Sequence, residues 1–242
     1  MPGLEKNLIV VVYKLEAGKE ILRTIESLRP VENTKILFVL SQKSDYIHDF
    51  IQQNLKDYEV LIDLQSGIYY AMNLGIRYFN ENKFNSLMFL NGGDEIYANV
   101  YNGASKNFTK GYMYSFRTHQ KFLTKLYERP SRRASRIIKF APHQGIVVCS
   151  CDEVPLYQTD NYSISSDVKW QVLLSKSLTV RFMDPILSKM YLGGISNRPS
   201  FKTCKIRAST DGYRRGVKEF LKLFLYSLLG AKRYYWLLSK KW

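Results

Sequence analysis

Over residues 8–90, short uninterrupted apolar runs alternate with stretches of helical periodicity, and few folds accommodate that rhythm. Residues 8–13 (Leu-Ile-Val-Val-Val-Tyr), 36–40 (Ile-Leu-Phe-Val-Leu), 60–62 (Val-Leu-Ile) and 86–90 (Ser-Leu-Met-Phe-Leu) are strand-sized and apolar on both faces. That is the mark of strands covered by helices above and below a parallel sheet. Between them, residues 21–28 put Ile21, Leu22, Ile25 and Leu28 on one helical face and stop at Pro30, while 46–55 and 68–80 read as two more helices. The expected fold is a doubly wound α/β domain with its ligand crevice at the carboxyl ends of the strands. Polar residues just after each strand are therefore the ones that matter most.

Downstream the rhythm breaks. Residues 97–140 are aromatic and basic, with short strands predicted at 111–117 and 122–126. The run Arg129-Pro130-Ser131-Arg132-Arg133-Ala134-Ser135-Arg136 reads either as a solvated loop or as a loop facing phosphate or acceptor. Strands at 145–149 and 178–182, a helix starting at 166–174 and a basic amphipathic helix from Tyr213 complete the reading. With 242 residues and 45% hydrophobic content, one large core suffices. The expected division is a catalytic-size domain over 1–205 and a helical tail over 206–242.

The formal charge of +15 calls for an anionic partner, and its distribution narrows the choice. Counting Lys and Arg against Asp and Glu gives roughly −3 for 1–99, +9 for 100–139, 0 for 140–199 and +9 for 200–242. Two basic blocks flank a neutral body, which argues against a nucleic-acid binder with one continuous basic face and favours local contacts with phosphate. Three cysteines, Cys149, Cys151 and Cys204, have no framework spacing, so reduced thiols are expected. Cys149 and Cys151 beside His143 read as a zinc fragment or, more plainly, as small buried residues. The first residues lack the pattern of a signal peptide and no apolar run is long enough to span a bilayer, so a cytoplasmic location is expected. In the tail, Val217, Phe220, Leu221, Phe224, Leu228, Leu229 and Leu238 recur at helical spacing among Arg214, Arg215, Lys218, Lys222, Lys232, Arg233, Lys240 and Lys241. Tyr234, Tyr235, Trp236 and Trp242 add interfacial aromatics. This composition suits a helix lying in the headgroup plane of an anionic membrane, at the inner face of the cytoplasmic membrane; the alternative is a helix packed on its own domain.

Four segments then occur in order: Gly67-Ile68-Tyr69-Tyr70-Ala71-Met72-Asn73-Leu74-Gly75-Ile76, Leu87-Met88-Phe89-Leu90-Asn91-Gly92-Gly93-Asp94, Pro142-His143-Gln144 and Ile164-Ser165-Ser166-Asp167. Together they resemble the signature of bacterial family 2 glycosyltransferases, with G-I-Y-D-A-M-N-x-G-I, F-L-N-x-D-D, H-Q and I-S-x-D segments, over roughly residues 8–195. The resemblance implies a GT-A-like, Rossmann-type nucleotide-sugar-binding domain with a mixed central sheet. It implies transfer, with inversion, of a sugar from a nucleoside-diphosphate donor, UDP-sugar foremost, in surface polysaccharide synthesis. The implied acceptor is a glycan or a polyprenyl-diphosphate-linked sugar, and the implied cofactor is Mn²⁺ or Mg²⁺.

The same resemblance assigns roles that the chemistry explains. The departing diphosphate gains negative charge, so a divalent cation held by a strand-end carboxylate stabilises it; Asp94 matches that position. Without the resemblance Asp94 is a turn residue after Gly92-Gly93. Glu95 assists it or caps the next segment, and Asn91 orients the turn or the donor ribose. Asp167 matches the general base that deprotonates the acceptor hydroxyl, its plain alternative being a helix cap after Ser165-Ser166. His143 contacts diphosphate or metal, positions the base, or is structural. Around the donor, the implied set is Tyr13, Glu16, Asp45, Gly67, Met72, Asn73, Asn91 and Gly93, with Tyr13 stacking on the base or packing in the core. The chain departs from the pattern at Ser41-Gln42-Lys43-Ser44-Asp45, where only Asp45 remains of two acids, at Gln65, with Asp63 further back, and at Tyr70. Those departures leave the nucleotide open and sustain a second reading, a non-catalytic nucleotide- or membrane-binding module on the same fold.

Overall fold

Every residue of β1 (Asn7–Tyr13) is buried, and alternate side chains enter different cores. Ile9, Val11 and Tyr13 join one apolar layer; Leu8, Val10 and Val12 join the other. A strand buried on both faces needs no polar alternation, which is why it reads as one apolar run. The computed structural model describes residues 6–13, 19–65, 67–122, 125–129, 132–134, 137–159, 166–191, 200–201, 204–205 and 213–239.

The expected alternation follows as α1 (Glu20–Leu28), β2 (Thr34–Leu40), α2 (Asp45–Asn54), β3 (Tyr58–Ile62), α3 (Ile68–Glu81) and β4 (Ser86–Asn91). β1 pairs in parallel with β2 on one side and β4 on the other, and β3 lies parallel beyond β2. The chain thus runs outward to β3 and returns across β1 to β4, creating a topological switch between the carboxyl ends of β1 and β4. Helix α3 packs so closely that a Cβ on Gly75 would stand 2.6 Å from a Val10 methyl.

The second half comprises β5 (Glu95–Ile96), α4 (Ala98–Ser105), β6 (Tyr112–Phe122), β7 (Lys125–Arg129), β8 (Arg132–Ala134), β9 (Ile137–Lys139), a 3-10 turn at His143–Gly145, β10 (Ile146–Cys149), α5 (Ser166–Ser177), β11 (Thr179–Tyr191) and α6 (Tyr213–Ser239). Antiparallel β10 joins β4 to β6, β11 runs parallel to β6, and β5 pairs antiparallel with β11. With β7 on β6 the sheet has nine strands in mixed directions, and β8 with β9 forms a separate pair. One apolar layer is built with α1, α2 and α4, the other with α3 and α5. This is the mixed α/β architecture of a GT-A-like domain. Several elements differ from expectation: β5 lies where no strand was read, the strand read at 122–126 is divided between β6, which ends at Phe122, and β7, which begins at Lys125, and β8 takes Arg132–Ala134 within the run read as a loop. Helix α4 stands where irregular chain was read, and β11 runs well past residue 182 because the register shifts at Asp184-Pro185 carry the strand through as a bulge.

Candidate active site

The switch between β1 and β4 is closed by a four-residue turn, Asn91-Gly92-Gly93-Asp94. Asp94 N donates to Asn91 O at 3.0 Å, and Gly92 N reaches across to Val12 O at 2.8 Å. Both glycines are required here. A Cβ on Gly92 would lie 2.3 Å from the Tyr13 ring, and Gly93 has φ +104°. Helix α1 pins the turn from beneath: Thr24 Oγ1 accepts from Gly93 N at 2.8 Å and donates to Asp94 O at 2.6 Å, while Ser27 Oγ accepts from Ile96 N at 3.1 Å. Neither hydroxyl was read as functional, although Thr24 interrupts the apolar face formed by Ile21, Ile25 and Leu28 and so carried a signal.

The Asp94 carboxylate is only 6% exposed. Its Oδ2 accepts from Gln144 Nε2 at 2.7 Å and its Oδ1 from Tyr191 N at 3.0 Å. Burial pushes its pKa up to about 6, against the pull of those hydrogen bonds and of the Arg23 charge. Each oxygen keeps a second lone pair for a cation. Glu95 is engaged elsewhere, with Lys189 and Tyr191. Among the described residues no group of three or more His, Cys, Asp or Glu could hold a metal alone. A divalent ion at Asp94 would need phosphate oxygens and water for its other ligands, as Mg²⁺ usually does.

A stability prediction follows. An acid whose folded pKa, about 6, exceeds its ordinary 3.8 adds stability below pH 3.8 that is lost as pH rises through 6. Carrying the charge at neutral pH costs roughly 3 kcal/mol. In Asp94→Asn the new amide can be matched, because among the described residues Gln144 Oε1 has no partner and a flip of that amide lets it accept. The variant should melt several degrees above the parent at pH 8, and the gap should close by pH 4; equal melting curves at both pH values would contradict the burial argument.

His143 Nε2 lies 3.1 Å from Asn91 Oδ1. Burial lowers its pKa to about 4, the Asp167 charge opposing. At neutral pH the ring is therefore uncharged, and with Asn91 oriented as found it donates Nε2–H to Oδ1. Asp167, in the first turn of α5, acts electrostatically on His143, Arg129 and Tyr157. Asn91, Gly93 and Asp94 thus share one turn, His143 is hydrogen-bonded to it through Asn91, and the Asp167 charge acts on His143.

Other predicted residues sit differently. Tyr13 is 3% exposed, its ring covered by Gly92, so the face proposed for base stacking is occupied. Met72 is fully enclosed. Asn73 turns inward and clamps the Tyr157 backbone, donating to its O at 2.9 Å and accepting from its N at 2.7 Å; Asn80, two turns along, holds Val154 in the same way at 3.0 Å each. Trp170 Nε1 adds a bond to Pro155 O at 2.6 Å. These residues fix the segment that precedes α5 and Asp167. Gly67 supplies the φ of +111° that opens α3 and is exposed. Asp45 is exposed in the first turn of α2, behind the Ser44 cap. Glu16 lies outside the described residues. At the carboxyl end of β3, Asp63 is buried and accepts from Gln65 N at 3.0 Å. Cys149 lies within the core, where burial pushes its thiol up to about 12, and Cys151 is exposed.

A parallel 3-2-1-4 half with antiparallel additions and a buried carboxylate at the switch defines a mixed α/β domain with a GT-A-like sheet. Solved structures agree on the fold. One structure of S. aureus TarS, a glycosyltransferase, matches with a TM-score of 0.61 at 10% identity, over 91% of this chain and 72% of that chain. A longer TarS structure matches with a TM-score of 0.55 at 9% identity, over 90% of this chain and 43% of that one. The 4-diphosphocytidyl-2C-methyl-D-erythritol synthase of Anaerococcus prevotii, at a TM-score of 0.46, 10% identity, 79% of this chain and 89% of that one, is too distant to carry an argument. No protein-family profile matches the chain, and no curated protein matches it in sequence.

Proposed function

We propose that this chain is an inverting glycosyltransferase that moves a sugar from a nucleoside-diphosphate donor, UDP-linked, to a hydroxyl of a glycan or lipid-linked glycan, as the family 2 resemblance implies. The observation that carries the reading is the set around the Asn91–Asp94 turn: Asp94 buried within it, and His143 hydrogen-bonded to Asn91 while within reach of the Asp167 charge. Asp94 would hold the divalent ion that offsets charge on the departing diphosphate. Gln144 and Tyr191 N fix its carboxylate, and the Thr24 hydroxyl fixes the backbone beneath it. Asp167 takes the acceptor proton, and the uncharged His143 ring is held against Asn91 without competing for that proton at neutral pH. The test is release of UDP from a panel of UDP-sugars with glycan acceptors, and the anomeric configuration of the product by NMR. An inverted product is expected. Retention overturns the assignment, and binding without release favours the non-catalytic module.

The same reading extends to the tail. In α6, Val217, Phe220, Leu221, Phe224, Leu225 and Leu228 recur at helical spacing and are 39–69% exposed, so the apolar stripe is not covered by the domain. Lys218, Lys222 and Arg233 accompany it, and Gly230 breaks the helix with φ 69°. Among the described residues no helix is long and apolar enough to cross a membrane. A stripe with basic flanks suits an anionic lipid surface and supports a reading in which the enzyme works at the inner face of the cytoplasmic membrane. Truncation after Asp211 should abolish co-sedimentation with anionic vesicles while leaving the melting temperature and transfer to a soluble acceptor intact. Unchanged lipid binding with collapsed stability would contradict it.

A further inference from the structure

Three cations gather around one aromatic ring beside the crevice, where the proposed chemistry does not use them. The Arg23 guanidinium lies 4.1 Å from the Tyr191 ring centroid, Lys121 Nζ 5.2 Å and Lys189 Nζ 5.4 Å. They come from α1, β6 and β11, so the fold brings them together from distant parts of the chain. Glu95 is the carboxylate among them: its Oε2 lies 2.5 Å from Lys189 Nζ, and its Oε1 accepts from the Tyr191 hydroxyl. Among the described residues Lys121 makes no ion pair, Lys189 pairs with Glu95 and the Arg23 charge acts on Asp94, so three cations face two carboxylates and the cluster is net positive. Their field reaches neighbouring groups. Burial and the nearby Lys189 and Arg117 hold His119 below its ordinary pKa, and Arg23 is among the groups pulling Asp94 down. Tyr191 N bonds Asp94 Oδ1 at 3.0 Å, so the cluster adjoins the crevice.

We propose that Arg23, Lys121 and Lys189, arrayed on the Tyr191 ring, form an anion subsite that takes a phosphate group. The guanidinium offers paired N–H donors in a plane and the two ammonium groups offer point charges, a combination suited to phosphate oxygens. A phosphate group supplies the negative charge that this net positive cluster lacks. Nothing in this inference depends on sugar transfer. Two sources carry the group: the diphosphate of a nucleotide donor, or a phosphate on the acceptor.

The test is calorimetric titration of inorganic pyrophosphate into the full chain in EDTA. The parent should bind, Lys121→Gln and Arg23→Gln should each weaken binding by about tenfold or more, and exposed Lys56→Gln should leave it unchanged. Melting curves accompany each variant; Lys121→Gln alone carries the test if Arg23→Gln fails to fold. A second titration, UDP with Mg²⁺, separates the sources. A matching loss of UDP affinity in Lys121→Gln assigns the subsite to the donor, and unchanged UDP affinity assigns it to the acceptor. Absence of pyrophosphate binding in the parent, or an equal loss in Lys56→Gln, overturns the proposal.

Discussion

Asp167→Asn is expected to lower turnover by about 10²–10⁴-fold, the usual worth of a positioned general base, while UDP affinity changes less than about twofold. The split follows from where Asp167 stands. It lies in the first turn of α5, acting on His143 and Arg129, whereas the Asn91–Asp94 turn is built by β1, β4 and α1. Removing its proton-accepting capacity therefore touches the acceptor half of the reaction and leaves the donor half standing. A purely structural Asp167 would behave otherwise. Loss of the charge facing Arg129 would then lower the melting temperature, and both affinity and turnover would fall together. Measuring turnover, UDP affinity and melting on the one variant separates the two cases.

Asp94→Asn should act in opposite directions on stability and function. Burial already raises the Asp94 pKa to about 6, so the fold bears the cost of the charge at neutral pH. The neutral amide removes that cost, yet it also removes the anionic oxygens a divalent ion needs. Metal-dependent donor binding should weaken by about 100-fold or more and turnover should fall at least in proportion. A carboxylate kept only for structure would lose stability on this substitution. A variant that is more stable and inactive marks a group retained for chemistry, and a less stable, active variant would count against the metal role.

The parallel half of the sheet was legible because burial on both faces writes each strand as a continuous apolar run, as in Leu8 to Tyr13 and Ile36 to Leu40. The outer strands were harder. β11 alternates exposed and half-buried residues and passes through Asp184-Pro185, which reads as a stop. β5 has two residues and exists only because β11 pairs with it. Within the site, Asn91, Asp94, His143 and Asp167 came from ordered motifs, whereas Thr24, Ser27 and Tyr191, and Gln144, which stood in a motif without a role, act through bonds to partners 50 to 97 positions away. Examples are Gln144 to Asp94 and Tyr191 to Asp94. Asn73 shows the converse. Its motif position pointed to the donor, but the amide is spent on the Tyr157 backbone, a partner that no local pattern reveals. Arg23, Lys121 and Lys189 are ordinary helix and strand cations in sequence; only the convergence of α1, β6 and β11 on Tyr191 makes them a group.

Calorimetric titration of UDP into the full chain, with Mg²⁺ and then in EDTA, tests the proposed nucleoside-diphosphate site completed by a cation at Asp94. Because Asp94 is the carboxylate at the switch and the described residues hold no cluster able to bind a metal alone, ion and diphosphate should bind together or hardly at all. Saturable binding is expected with Mg²⁺, weakening by about 100-fold or more in EDTA. Equal affinity with and without the ion, or no binding of UDP or any other nucleoside diphosphate, would contradict it.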